Sequence, residues 1–136
     1  MTYGSVRSSP GGVGVSLVDG NPVVRHARQL MLRSENYDVR SYATCAALLS
    51  DMRSRDCCCI VLDVEMDDVD GIDLLAKMRA SGWQGRAILL DGLEPGADVV
   101  REAARHGDLI QPRSIGDDSL LVAIAASLDR DYGGGN

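Results

Sequence analysis

Residues 57–71 read Cys-Cys-Cys-Ile-Val-Leu-Asp-Val-Glu-Met-Asp-Asp-Val-Asp-Gly. The apolar run from Cys57 to Leu62 stops abruptly at Asp63, and a helical pattern begins around Ile72. A short run of small and β-branched residues without polar alternation suits a strand buried on both faces, as in a parallel sheet covered by helices. That reading puts Asp63 at the carboxyl end of a central strand, where open α/β sheets keep their ligands and chemistry.

The flanking sequence alternates strand and helix signals in the same manner. Val13–Val18 is a strand ending at Asp19-Gly20-Asn21-Pro22, and Asn21 as cap with Pro22 in the first turn starts a helix to about Ser34. Its inward face is expected to carry Val23, Ala27, Leu30 and Met31. Val39–Tyr42 is a shorter strand, and Thr44 caps a helix to Arg55 with Ala46, Leu48, Leu49 and Met52 inward. Asp70 caps a helix that buries Ile72, Leu75 and Met78 and stops at Ser81-Gly82, with Trp83 packed at the entry to the next strand. Arg86–Leu90 is a fourth strand. Pro95 opens a helix with Val99, Val100 and Ala103 inward, closed by His106-Gly107. Leu109-Ile110 leave room for a stub of a fifth strand before Gln111-Pro112, and a last helix spans about Asp117–Leu128. Residues 1–14 read as a disordered tail, 15–129 as one domain, and 130–136 as a flexible end or a linker cut short.

Length and charge narrow the function. A chain of 136 residues is one domain with a real core. The net charge of −6 and the lack of a basic stripe exclude a nucleic-acid surface on this segment. The apolar runs are too short to cross a bilayer and no signal-peptide pattern is present, so no membrane association and a cytoplasmic location are expected. Three of the four cysteines are consecutive, and alternating strand geometry keeps Cys57, Cys58 and Cys59 from converging on one metal. They are expected to be inert thiols. The acids Asp67, Asp68, Asp70 and Asp73 lack the spacing of a calcium loop, and His26 and His106 have no partner at ligand spacing.

Strand, Asp63, Val64-Glu65-Met66, an acidic loop, Asp70-Gly71 and a helix together resemble the phosphoacceptor segment of bacterial response-regulator receiver domains, with Asp67 where proline is usual. The resemblance runs from about Val15 to Leu128. It implies a flavodoxin-like three-layer α/β fold, with a five-stranded parallel sheet of order 2-1-3-4-5 and helices on both faces; the order itself comes with the family. It also implies that Asp63 accepts a phosphoryl group from a sensor histidine kinase or phosphotransfer protein. Further partners it implies are a homodimer contact on the last two helices and a DNA-binding output domain in a longer protein.

Asp19 matches the family's first acid after strand 1, but Gly20 stands at the second. A magnesium site of Asp19, Asp63 and the Glu65 backbone carbonyl is therefore expected to be weak or absent. At the switch position Asp91, followed by Gly92, replaces a hydroxyl donor with an acceptor-only anion, and Gln111 replaces the lysine before Pro112. Two carboxylates about 5 Å apart repel by roughly 3 kcal/mol at an effective dielectric near 20. Arg113 is a candidate substitute cation, with Pro112 leaving its direction open. The toggling aromatic has no counterpart, its region being Asp108-Leu109. Two functions follow: a receiver phosphorylated inefficiently on Asp63, or a phosphorylation-independent pseudo-receiver that dimerises or docks on a partner. A flavodoxin-like ligand domain is disfavoured, because Gly92, Gly96 and Gly116 form no phosphate-cradling fingerprint.

Overall fold

The computed structural model describes residues 12–64, 66, 70–92 and 95–133. Five strands, β1 (Gly14–Val18), β2 (Asp38–Tyr42), β3 (Cys59–Asp63), β4 (Arg86–Asp91) and β5 (Leu109–Pro112), alternate with five helices. The helices are α1 (Pro22–Ser34), α2 (Cys45–Ser50), α3 (Gly71–Ala80), α4 (Ala97–His106) and α5 (Asp117–Gly133). All pairings are parallel and the sheet order is β2-β1-β3-β4-β5, as expected from the resemblance.

Alternate residues of the central strands feed two cores. Ile60, Leu62, Ala87 and Leu89 meet α2, α3 and α4 through Leu48, Leu74, Met78 and Ala103. Val61, Leu17, Ile88 and Leu90 meet α1 and α5 through Leu32, Leu120 and Ile124. The sheet is thus buried on both faces, which is why β3 shows no polar alternation. Caps fall where the sequence puts them: Asn21 accepts from the backbone N–H of Val23 and Val24, Thr44 from Ala47 and Asp70 from Ile72.

Two helices differ most from expectation. In α1, Val23 and Leu30 are 76% and 54% exposed, and the buried positions are Arg28 and Leu32. The inward stripe lies one residue further along, because Arg28 finds a carboxylate partner beneath the helix. The second helix ends at Ser50 and gives way to a 3-10 turn, Met52–Asp56, with Asp51 accepting from the Arg53 N–H. Met52 therefore points into solvent. Ala46 is likewise exposed, and Val100 of α4 is only half covered. Smaller shifts concern ends: α4 opens at Ala97 after a Gly96 cap rather than at Pro95, and α5 continues to Gly133.

The strand run begins at Cys59 rather than Cys57, so the consecutive cysteines go to three environments. Cys59 is buried under the α1/α5 layer, Cys57 packs against the opposite core, and Cys58 is exposed. Burial pushes the Cys57 and Cys59 thiols up from their ordinary value, which suppresses thiolate at mild alkaline pH. With Cys45 also buried, an Ellman titration of the native chain at pH 8 is expected to give one fast thiol, Cys58, and all four only after denaturation. Two or more fast thiols would contradict this placement.

At the amino edge of the sheet the chain is held by a polar knot. Asp108, whose side chain is 1% exposed, accepts the Ala87 backbone N–H at 2.9 Å and Arg79 at 2.8 Å through one oxygen, Oδ1. The Arg79 guanidinium lies 5.2 Å from the centre of the Trp83 ring. Trp83 is buried and donates its indole N–H to the Cys57 carbonyl at 2.8 Å.

Candidate functional site

Strand register decides which side chains can meet at the carboxyl edge. Val18 lies opposite Leu62, Asp63 opposite Leu90, and Leu90 opposite Gln111. Asp19, one residue past Val18, thus emerges level with Asp63, and Asp91 emerges one step beyond it on the next strand. Strands about 4.8 Å apart bring these three acids to one rim although the chain separates them widely.

Their side chains do not form one cluster. Asp91 is buried, and its Oδ1 accepts the Gly92 backbone N–H at 2.7 Å. Its carbonyl accepts the Arg113 N–H at 2.7 Å, extending the β4–β5 ladder past Pro112. Asp63 is instead gripped by the Arg113 side chain, with Nε to Oδ2 at 2.6 Å and Nη2 to Oδ1 at 2.8 Å. This is a bidentate guanidinium–carboxylate fork, the strong and directional form of the pair. The side chains are 41% and 16% exposed, so solvent screens the fork only in part. Gln111, read as standing at the lysine position, is half-buried on β5 and the cation comes from two residues later.

Asp19 has its own arginines. Arg28 Nη1 reaches its Oδ2 at 3.4 Å and Arg25 Nη1 donates to its carbonyl at 2.8 Å, while Asn21 N–H donates to Oδ1 at 2.9 Å. Arg28, with 9% of its side chain exposed, also donates from Nη2 to the Arg113 carbonyl at 3.3 Å. The sequence reading missed Arg28; the available signal was the stripe Val24, Arg28, Met31, Leu32, which has helical spacing and one charge in it. Asp19 and Asp63 thus each hold an arginine, so the charge missing at Gln111 is supplied from elsewhere in the chain.

The magnesium site, expected to be weak or absent, does not fit these donors. All four oxygens of Asp19 and Asp63 already accept N–H groups, two of the partners being cationic. Among the described residues no three His, Cys, Asp or Glu side chains come together as a metal-binding group. Glu65, expected to lend its carbonyl, lies outside the described residues. A Cβ at Gly20 would meet only the Ala43 carbonyl oxygen, at 4.0 Å, so the second acid is missing for want of the residue, with space for it present. Magnesium requires a near-octahedral oxygen shell, and the described residues of this rim do not supply one.

Three comparisons bear on this arrangement. The family model of the response regulator receiver domain matches residues 15–108. Transcriptional regulatory protein FixJ of Azorhizobium caulinodans is 28% identical over 123 residues, 89% of this chain and 57% of its own length. The probable transcriptional regulatory protein SgaR of Hyphomicrobium methylovorum is 32% identical over 95 residues, 68% of this chain and 44% of its own. The chain spans about half the length of these curated relatives. Among solved structures, a CheY-like receiver domain protein from Methanospirillum hungatei JF-1 superposes with a TM-score of 0.76 at 18% identity, covering 90% of this chain and 98% of that one. The BeF3-activated receiver domain of DrrB, a Thermotoga maritima protein, gives a TM-score of 0.73 at 19% identity, covering 88% and 99%. At these identities the structures speak to the fold.

Proposed function

The chain belongs to the response regulator receiver domain family, a signalling module rather than an enzyme, and from that premise we propose that Asp63 is its phosphoacceptor, with Arg113 as the counter-charge. The observation that carries this reading is the two-bonded fork between Asp63 and Arg113. A carboxylate oxygen attacking phosphorus forms the acyl phosphate as the phosphorus–nitrogen bond of a phosphohistidine breaks, and the departing imidazole takes up a proton. Nucleophile and transferring group are both anionic, so a fixed cation beside Asp63 lowers the barrier. Arg113 can stay hydrogen-bonded to Asp63 through one nitrogen and offer the others to the phosphoryl oxygens.

The donor is a sensor histidine kinase or a phosphotransfer protein, and the location is cytoplasmic in keeping with that role. Among the described residues no helix is long and apolar enough to cross a membrane. The transcriptional regulator names of the relatives support a DNA-binding output in a longer protein. Exposed Val100 on α4 and Val122 on α5 support a partner or homodimer contact on the last two helices.

A second reading, the phosphorylation-independent pseudo-receiver, is favoured by Asp91. It puts a carboxylate where a hydroxyl would bind the phosphoryl group, and its Oδ1 is turned onto the Gly92 N–H. Incubation with acetyl phosphate or a phosphorylated kinase, read by intact mass, separates the two. Addition of one phosphoryl mass that is lost in Asp63→Asn is the expected result. No addition under forcing conditions transfers the assignment to the pseudo-receiver.

A further inference from the structure

We propose that Asp19 and Asp63 on the acid rim of this domain are neutralised by a pair of arginines in place of a divalent cation, with Arg28 as the positioning residue that sets Arg113 on Asp63. Arg28 is buried on α1 and spans two acceptors that belong to different segments: the Asp19 carboxylate after β1 and the Arg113 carbonyl after β5. The Arg113 backbone is held on its other side by its own N–H, which donates to the Asp91 carbonyl. A backbone tied through both N–H and C=O fixes where the Arg113 side chain leaves the chain, which keeps its guanidinium within reach of Asp63.

One continuous chain of contacts follows, Asp19 to Arg28 to the Arg113 carbonyl, and the Arg113 guanidinium to Asp63. Two carboxylates are matched by two guanidinium groups, and Arg25 adds a donor to the Asp19 carbonyl. A dication entering here would displace N–H donors from oxygens that are all in use and approach two fixed positive charges. Burial makes Arg28 costly unless paired, which is why a charged residue in an inward stripe is tolerated only with Asp19 beneath it. The arrangement is a property of the unmodified chain and holds whether or not Asp63 is ever phosphorylated.

The test uses two readouts on the whole chain. First, Mn2+ is titrated into the wild-type protein, with paramagnetic broadening followed on assigned backbone amides. Diffuse broadening over exposed acidic residues, without saturation, is expected; saturable broadening centred on residues 19–21 and 63–64 overturns the proposal. Second, the Arg113 Nε–H resonance, assigned by its loss in Arg113→Ala, is followed in Arg28→Met and Arg28→Lys. In Arg28→Met it is expected to move to the shift of a solvated arginine and to exchange with water about tenfold faster. Amide dispersion from the sheet should meanwhile be unchanged. Arg28→Lys keeps the charge on Asp19 but has one head for two acceptors, so an intermediate effect is expected, and this variant decides if Arg28→Met does not fold. An Arg113 signal unaltered in a folded Arg28 variant removes Arg28 from its positioning role.

Discussion

Replacing Asp108 with alanine is expected to destabilise the folded chain by about 3–5 kcal/mol, because it breaks a buried ion pair from one side. For a domain of this size that corresponds to a drop in melting temperature of roughly 10–20 °C. One oxygen of Asp108 satisfies both the Ala87 N–H at the start of β4 and Arg79 on α3. Alanine leaves a buried backbone donor without a partner and strands the guanidinium of Arg79, a side chain only 17% exposed, over the Trp83 ring. Asp108→Asn keeps an oxygen acceptor while giving up the charge, and should cost about 1–2 kcal/mol. Urea unfolding of the two variants checks this directly. An Asp108→Ala protein within about 1 kcal/mol of wild type, near the ordinary effect of a point mutation, would show that the knot contributes little.

The largest functional effect is expected at Arg113. In Arg113→Ala the initial rate of phosphoryl uptake from a small phosphodonor should fall about 10²-fold. Two unit charges about 5 Å apart at an effective dielectric near 20 interact by roughly 3 kcal/mol, and each 1.4 kcal/mol is a factor of ten in rate. The Arg113 side chain is 41% exposed, so screening places the loss at the lower end of what that arithmetic allows. Arg113→Lys returns the charge without the planar fork and should recover about a tenth of the wild-type rate, set by charge alone. Equal rates for wild type and Arg113→Ala, with Asp63 still the modified residue, would mean that the fork is a ground-state contact with no part in transfer.

Much of the fold was legible because its determinants are local. Buried strands appear as unbroken apolar runs, and Asn21, Thr44 and Asp70 cap the helices that follow them. The gathering of Asp19, Asp63 and Asp91 at one rim was legible too, since it needs only strand ends and sheet order. The α1 face was misread because Val23, Ala27 and Leu30 form an apolar stripe next to the true one, which contains Arg28. Periodicity ranks a stripe by its hydrophobicity and cannot weigh a carboxylate that arrives from β1. Arg113 was nameable as a cation in the right region, but its direction depends on the ladder bond to Asp91 and the Arg28 tether. Asp108 was opaque for the same reason: beside Gly107 it reads as a helix-end turn, and its partners lie 21 and 29 residues away. The part that escaped sequence reading is therefore long-range pairing between charged side chains.

The Arg113 fork has one more chemical consequence. An ammonium at this place could be acylated or stripped of its proton in alkaline solution, and either event would silence it. A guanidinium resists both, keeping its charge even in alkaline solution. The chain carries a single lysine, Lys77, on the exposed side of α3, so amine-directed modification of this domain leaves the charge facing Asp63 untouched.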